Sequence, residues 1–204
     1  MATTNTTNLI ACLESCFSPA YAFTSPPADS SQPALHLLPA TTVMKLRNLT
    51  AGRVKDMRTL GQSKQIISHI PIAAPSQLCA KHNDAIHTAI VMNGEKLAAL
   101  AMLPIDGKEA AKELAKCVGK YHFVGGVLGL SRDVRLDDGS LWELWNTAEK
   151  YRVPVCLREM WPLGSEVRPT TNFHQGWKCE EMKTDIRRSQ SISTTFPPMP
   201  SHPS

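Results

Sequence analysis

Hydrophobic positions in the middle of the chain alternate between two spacings. From residue 46 to residue 158, apolar residues at roughly helical spacing give way repeatedly to short apolar or β-branched runs. Glycine or proline marks the changes, at Gly61, Pro71, Gly94, Pro104 and Gly119. The pattern predicts α-helices that alternate with buried β-strands.

The predicted elements form a regular series. Helices are predicted at 46–60, 77–93 (with Ser76 as the N-cap), 107–119 and 140–151. Strands are predicted at 8–14, 64–69, 97–103, 123–130 and 153–157. Such an order requires a parallel sheet with right-handed crossovers. It fits either an open doubly wound α/β sheet or the first part of a TIM (β/α)8 barrel, because both bury near-continuous apolar strands under helices.

Two segments do not follow this pattern. Residues 21–42 are rich in Pro, Ser, Ala and Thr and are predicted to form a long irregular connection. Residues 169–204 lack apolar periodicity and end in a Pro/Ser run, which predicts a disordered tail. One domain is therefore expected over residues 8–168.

Composition excludes several classes of protein. The net charge of +4 is mild and no basic stripe is interleaved with aromatic residues, so nucleic-acid binding has little support. Six scattered cysteines in 204 residues do not resemble a disulfide-bonded secreted scaffold. The N-terminus has no signal-peptide pattern and no run of apolar residues is long enough to span a membrane. We expect a reduced, cytoplasmic protein.

The first predicted strand carries candidate metal chemistry. In the stretch IACLESCFSPA, strand periodicity places Cys12, Glu14 and Cys16 on one face. A carboxylate flanked by two thiols could hold a metal ion. The same three residues could equally be two small core side chains beside a solvated acid.

A set of short stretches resembles a known family. They are Gly52–Met57, Gln65–Ser68, Asn83–Asp84, Leu97–Pro104, Ala110–Leu114, Phe123–Val127 and Val153–Leu157. Taken in order, they resemble the amidohydrolase-related superfamily, in the branch of the 2,3-dihydroxybenzoate, γ-resorcylate and aminocarboxymuconate-semialdehyde decarboxylases. The resemblance implies a partial TIM barrel of about five βα units, with its site at the C-terminal ends of the strands.

The resemblance also implies a set of metal ligands. Members of this branch begin with a strand like L-E-E-H-F, in which a Glu and a His bind a divalent metal. Leu13–Phe17 falls in that place, with Glu14 kept and Cys16 where histidine is expected, a change that suits Zn²⁺. Arg158 stands where the fifth strand of the family ends in a histidine ligand, and a permanent cation cannot replace it. The later histidine and aspartate of the family have no counterpart, so we expect a chain truncated after the fifth strand, with an incomplete site.

Three further residues are candidates for substrate binding. Ser68 and His69 end the second strand, where they could contact substrate or form a simple turn. The planar fork of Arg158 could bind a substrate carboxylate, or it could form an ion pair with Glu159 or Asp138.

Polar residues within the helix predicted at 77–93 are assigned structural roles. His82 and His87 are expected to face solvent or helix packing, and Asn83–Asp84 is expected to be structural.

Two functions remain open. The resemblance implies non-oxidative decarboxylation of a small aromatic or unsaturated carboxylic acid, or a related hydrolysis, with Glu14 and Cys16 as residual metal ligands and Arg158 as a substrate clamp. The alternative is a catalytically inactive relative that acts as a binding or interaction protein. A partial barrel exposes two sheet edges, which favours pairing with another copy or with a partner.

Overall fold

The computed structural model describes residues 9–20, 33–34, 38–130, 136, 139–163 and 165. The strands are β1 (Leu9–Cys16), β2 (Gln62–His69), β3 (Leu97–Leu103), β4 (Gly125–Leu130) and β5 (Val155–Glu159). The helices are α1 (Ala40–Arg47), α2 (Ala51–Thr59), α3 (Ser76–Val91), α4 (Gly107–Tyr121) and α5 (Trp142–Tyr151). A short 3₁₀ turn, Gly139–Leu141, precedes α5. None of the helices in the described ranges has the length and apolar character that crossing a membrane requires.

The five strands form one parallel sheet in the sequential order β1-β2-β3-β4-β5. The sheet curls so far that a side chain of β5 reaches one of β1: both terminal nitrogens of Arg158 lie 3.2 Å from Oγ of Ser15. A doubly wound sheet would reverse its strand order partway across. The structure therefore confirms the predicted partial barrel and rules out the open-sheet alternative.

The main hydrophobic core lies between the sheet and its helices. Alternate strand residues point into it, among them Ile67, Ala99, Ala101, Leu103 and Leu128. Residues from the helices and from the loops beside them complete this core, including Leu49, Met57, Ile86, Leu114 and Leu144. Burying each large side chain contributes about 1.5–3 kcal/mol. The intervening strand positions, such as Ser68, Leu100 and Val127, belong to the opposite face, which we call the concave face.

The helix predicted at 46–60 is two helices. The side chain of Asn48 accepts hydrogen bonds from N and Oγ1 of Thr50, at 3.1 and 3.0 Å, and turns the chain between α1 and α2. Leu49 fills the core at this break, with 2% of its surface exposed. The apolar spacing continues through the turn, which is why periodicity alone predicts one helix.

Several predicted boundaries also move. The prediction of Ser76 as N-cap is wrong: Ser76 is the first helical residue, and Leu78 N and Cys79 N donate to the carbonyl oxygen of Pro75. Helix α4 continues past Gly119 to Tyr121, and the next residue, His122, takes the left-handed conformation at φ 57°. β1, β2, β4 and β5 differ from their predicted limits by one or two residues at one or both ends.

The irregular segments are only partly described. Helix α1 begins at Ala40, inside the predicted connection 21–42. Earlier in that connection, Ala34 N donates to Pro162 O at 2.9 Å, which places the segment beside the end of β5. Most of the rest of the connection, and all of the predicted tail at 169–204, lie outside the described residues.

A buried amide attaches α3 to β3. The side chain of Asn83 donates to Met102 O at 2.9 Å and accepts from Met102 N at 2.8 Å. Its Nδ2 also donates to Oε1 of Glu113 on α4, at 2.8 Å. All three residues are buried, so one side chain joins two helices to a strand, and the predicted structural role of Asn83 is confirmed.

Replacing Asn83 by alanine should destabilise the fold strongly. The substitution leaves the backbone of Met102 and the carboxylate of Glu113 without their buried partner, a loss of about 3 kcal/mol in the free energy of unfolding. Urea denaturation followed by circular dichroism measures this change. Asn93→Ala is the matched control, because Asn93 forms its hydrogen bonds at the end of α3 through its backbone. Equal stability of the two variants would contradict the assigned role.

Candidate active site on the concave face

The strand ends on the concave face bring together Ser15, Ser68 and Arg158, which we call the concave rim. Ser15 and Ser68 are direct neighbours in the sheet, because they pair with each other across β1 and β2. Arg158 pairs with Gly129 across β4 and β5 and reaches Ser15 from the other edge of the sheet. Two of the predicted substrate-binding residues, Ser68 and Arg158, therefore share one face.

Arg158 holds a positive charge at this rim. Its guanidinium is half-buried, and burial lowers its pKa from the ordinary value for arginine, a shift that the nearby Cys156 opposes. Arginine remains protonated at neutral pH even so. Among the described residues its hydrogen-bond acceptor is the neutral hydroxyl of Ser15. It makes no ion pair with Glu159 in that part of the chain, and Asp138, the other predicted partner, lies outside the described residues.

Ser68 and His69 point to opposite sides of the sheet. Ser68 is fully buried on the concave face, where its hydroxyl finds no hydrogen-bond partner among the described residues. His69 faces the helices, and its ring stacks on His82 of α3 with centroids 4.6 Å apart. The structure thus does not bring His69 to the concave rim.

A β-bulge in the first strand changes the predicted arrangement of its side chains. Ala11 pairs with Gln65 and Glu14 pairs with Ile67, so β1 has one residue more than β2 between these pairs. The bulge lies at Leu13, whose backbone takes the left-handed conformation with a φ of 63°. The prediction that Cys12, Glu14 and Cys16 all share a face is wrong: Glu14 and Cys16 share one, but the bulge between Cys12 and Glu14 interrupts the period of two.

Glu14 and Cys16 consequently lie on the helix side of the sheet. Cys16 is fully buried in the main core with Met57 and Ile67. Burial raises the pKa of its thiol to about 12, against the opposing charge of Arg53. Cys16 is therefore enclosed in the hydrophobic core, on the face of the sheet opposite to the concave rim.

The donor set does not fit the divalent metal that the resemblance implies. Glu14 lies in a cleft beside α1 and α2, away from the concave rim. No group of three or more His, Cys, Asp or Glu side chains in the described ranges is placed to hold a metal ion. The position expected for a histidine ligand carries the cation of Arg158. We therefore assign no step of chemistry to a metal ion in this chain.

A buried histidine pair lies directly behind the rim. His69 and His82 are both fully buried, and Nδ1 of His69 lies 2.7 Å from Ile70 O. Burial lowers the pKa of each imidazole to about 4. The nearby His82 lowers the pKa of His69 further, and Lys81 does the same for His82.

His87, on the same helix as His82, stacks on Tyr121 with ring centroids 4.2 Å apart. The prediction that His82 and His87 face solvent or helix packing is confirmed, with packing as the outcome. Periodicity indicated a helical position for His82 but not its histidine partner on β2.

Comparison with known proteins identifies similar chains. No family model matches. The γ-resorcylate decarboxylase of a Polaromonas species is 30% identical over 101 residues, which are 46% of this chain and 31% of that protein. The 2,6-dihydroxybenzoate decarboxylase of Rhizobium is 25% identical with a TM-score of 0.64, over 79% of this chain and 52% of that one.

A third similar protein was solved with a metal ion and an inhibitor bound. The dihydroxybenzoic acid decarboxylase of Polaromonas, solved with bound manganese and the inhibitor 2-nitroresorcinol, is 21% identical with a TM-score of 0.60. The match covers 78% of this chain and 51% of that one, and at this identity it shows the fold alone. The metal there is manganese, so zinc remains a prediction. This chain spans about half the length of the solved relatives.

The histidine pair should make the fold sensitive to mild acid. Both imidazoles are neutral when folded, so the unfolded chain binds more protons between about pH 6.5 and pH 4, and stability falls as the pH falls through that window. Each histidine adds a slope of up to about 1.4 kcal/mol per pH unit. Urea denaturation across this window should show a smaller slope for His82→Phe. The control His122→Asn, which keeps a residue tolerant of the left-handed conformation, should keep the full slope. An unchanged slope in His82→Phe would contradict this explanation.

Native thiol labelling should separate Cys12 from Cys16. Cys12 is exposed whereas Cys16 is fully buried with its pKa raised to about 12, so iodoacetamide at neutral pH should alkylate Cys12 and leave Cys16 until denaturant is added. Peptide mass spectrometry measures both sites in one sample. Labelling of Cys16 at the rate of Cys12 would show an accessible thiolate and would restore it as a candidate metal ligand.

Proposed function

The chain belongs to the amidohydrolase-related superfamily, and we propose that it binds a small aromatic carboxylic acid at the concave rim. Arg158 would hold the carboxylate. The observation that carries this proposal is the half-buried guanidinium of Arg158, whose acceptor among the described residues is a neutral hydroxyl. A carboxylate is the natural counter-ion for that charge.

The geometry of the rim favours a planar anion. A guanidinium binds a carboxylate through two parallel N–H···O bonds, which fixes orientation as well as charge. Ser15 touches both terminal nitrogens of Arg158 and can also donate its own hydroxyl hydrogen to a bound oxygen. The buried hydroxyl of Ser68, next to Ser15 in the sheet, would donate a further hydrogen bond to the ligand. The relatives named for dihydroxybenzoates support an aromatic acid as the ligand class.

Decarboxylation is the second candidate function. It is favoured by the 30% identity with a γ-resorcylate decarboxylase over 101 residues. Binding takes precedence because the residues that the resemblance assigns to the metal do not fit one, whereas the half-buried charge of Arg158 has a neutral hydroxyl as its acceptor among the described residues. Pairing with another copy of the chain stays a prediction, since two strands of the half-barrel are edge strands.

Binding of 2,6-dihydroxybenzoate tests the proposal. Isothermal titration should show saturable binding to the wild-type chain and at least tenfold weaker binding to Arg158→Gln, because a charge-assisted pair contributes about 1.5–3 kcal/mol. The affinity of Arg158→Lys should lie between those of the wild type and Arg158→Gln, since an ammonium group keeps the charge but cannot form the two parallel hydrogen bonds of a guanidinium. Arg58→Gln, at an exposed arginine of α2, is the matched control.

Two comparisons complete this experiment. Resorcinol, which lacks the carboxylate, should bind equally to wild type and Arg158→Gln. Release of CO₂, measured with added Mn²⁺, separates catalysis from binding alone. Absence of saturable binding by the wild-type chain, or equal affinity in Arg158→Gln, would refute the proposed carboxylate site.

A further inference from the structure

A second cleft lies on the helix side of β1. It has a volume of about 420 Å³ and is bounded by β1, α1 and α2. Small-molecule sites commonly have volumes of roughly 300–1,000 Å³. The four charged residues that line it are Glu14, Lys45, Arg53 and Asp56. The concave rim is on the other face of the sheet, so this cleft is separate from the carboxylate site proposed above.

The charge of Arg53 is fixed in position by neutral groups. Its Nε donates to Oε1 of Gln65 at 2.7 Å, and its Nη2 donates to the carbonyl oxygen of Ser15 at 3.1 Å. Gln65 is held in turn by a hydrogen bond from its Nε2 to Oε1 of Gln62, at 2.6 Å. A guanidinium with this support is ordered before any ligand arrives, so less conformational entropy is lost on binding.

The four charged side chains of the cleft form no ion pairs with one another. The ion pairs among the described residues involve α3, α4 and α5, and none includes Glu14, Lys45, Arg53 or Asp56. Two cations and two carboxylates therefore face one cavity without direct pairing. Because side chains of both signs line the cleft, a ligand that carries both signs can be paired at each of its charged groups.

We propose that this cleft binds a free α-amino acid with an apolar side chain. The carboxylate of the ligand would pair with Arg53 and Lys45, and its ammonium group with Glu14 and Asp56. Leu46 and Leu60 lie in the same lining, and Leu60 is 63% exposed, so an aliphatic side chain of the ligand would cover apolar surface that water now contacts.

The bulge at Leu13 is what places Glu14 in this cleft. Beyond the bulge, Glu14 shares its face with Ile67 and Cys16, which pack toward the helices. The carboxylate that the resemblance assigns to a metal is thereby available to an ammonium group. The same backbone irregularity thus removes Glu14 from the expected metal site and adds its charge to the cleft.

Titration with L-leucine and two blocked derivatives tests the proposal. Saturable binding of leucine is expected at up to millimolar concentration. N-acetyl-leucine, which lacks the ammonium, and leucinamide, which lacks the carboxylate, should each bind at least tenfold more weakly. Ligand-observed NMR measures all three against the same protein sample.

Matched variants locate the binding. Glu14→Gln and Lys45→Gln should each weaken leucine binding at least tenfold, whereas Glu95→Gln and Lys55→Gln, at exposed positions outside the cleft lining, should leave it unchanged. Circular dichroism confirms that each variant is folded. Arg158→Gln should bind leucine normally, which separates this site from the concave rim.

The outcomes are decisive in both directions. Leucine binding that requires both charged ends and both cleft residues supports the site. Absence of saturable leucine binding by the wild-type chain, equal affinity for either blocked derivative, or normal binding by Glu14→Gln and Lys45→Gln would overturn it.

Discussion

The register of five parallel strands decides which side chains of this protein can act together. Neighbouring strands in a parallel sheet present paired residues to the same face, so each pairing assigns a side chain either to the helices or to the concave face. Ser15, Ser68 and Arg158 lie on the same face because their strand pairings direct all three side chains to the concave side of the sheet. Glu14 and Cys16 do not belong to that group, because the extra residue at Leu13 directs their side chains to the helix side of the sheet. The chemistry available at each face follows from this constraint.

The constraint explains why family resemblance and local chemistry diverge. The fold is that of the amidohydrolase-related superfamily, and it presents strand ends at the concave rim as such barrels do. A metal site additionally needs several donors on one face in their deprotonated forms. Here the thiol is in the hydrophobic core, the carboxylate is beside two helices, and an arginine occupies the remaining expected position. What lies at the rim is a positive charge beside hydroxyl groups, and the proposed carboxylate site rests on this arrangement.

Much of the fold could be predicted from the sequence because its strands are short, apolar and separated by glycine or proline. Leu97–Leu103 was predicted with the bounds that the structure shows. The division between α1 and α2 could not be predicted, since it depends on one side chain, Asn48, while the apolar spacing continues. The candidate site was harder still to predict from the sequence. Strand periodicity assumes regular pairing, and a bulge at a leucine leaves no mark in the pattern. The stacking of His69 on His82 joins residues from two elements, which no local pattern reports.

Ser15 connects the two faces of the first strand. Its hydroxyl accepts from Arg158 on the concave side, and its carbonyl oxygen accepts from Arg53 on the helix side. In the described part of the sheet β1 pairs only with β2, so an edge strand would otherwise be held by one ladder of hydrogen bonds. Two guanidinium groups that converge on one residue restrict that strand from both sides. The contact of Arg158 with Ser15 also joins β5 to β1 across the open side of the half-barrel.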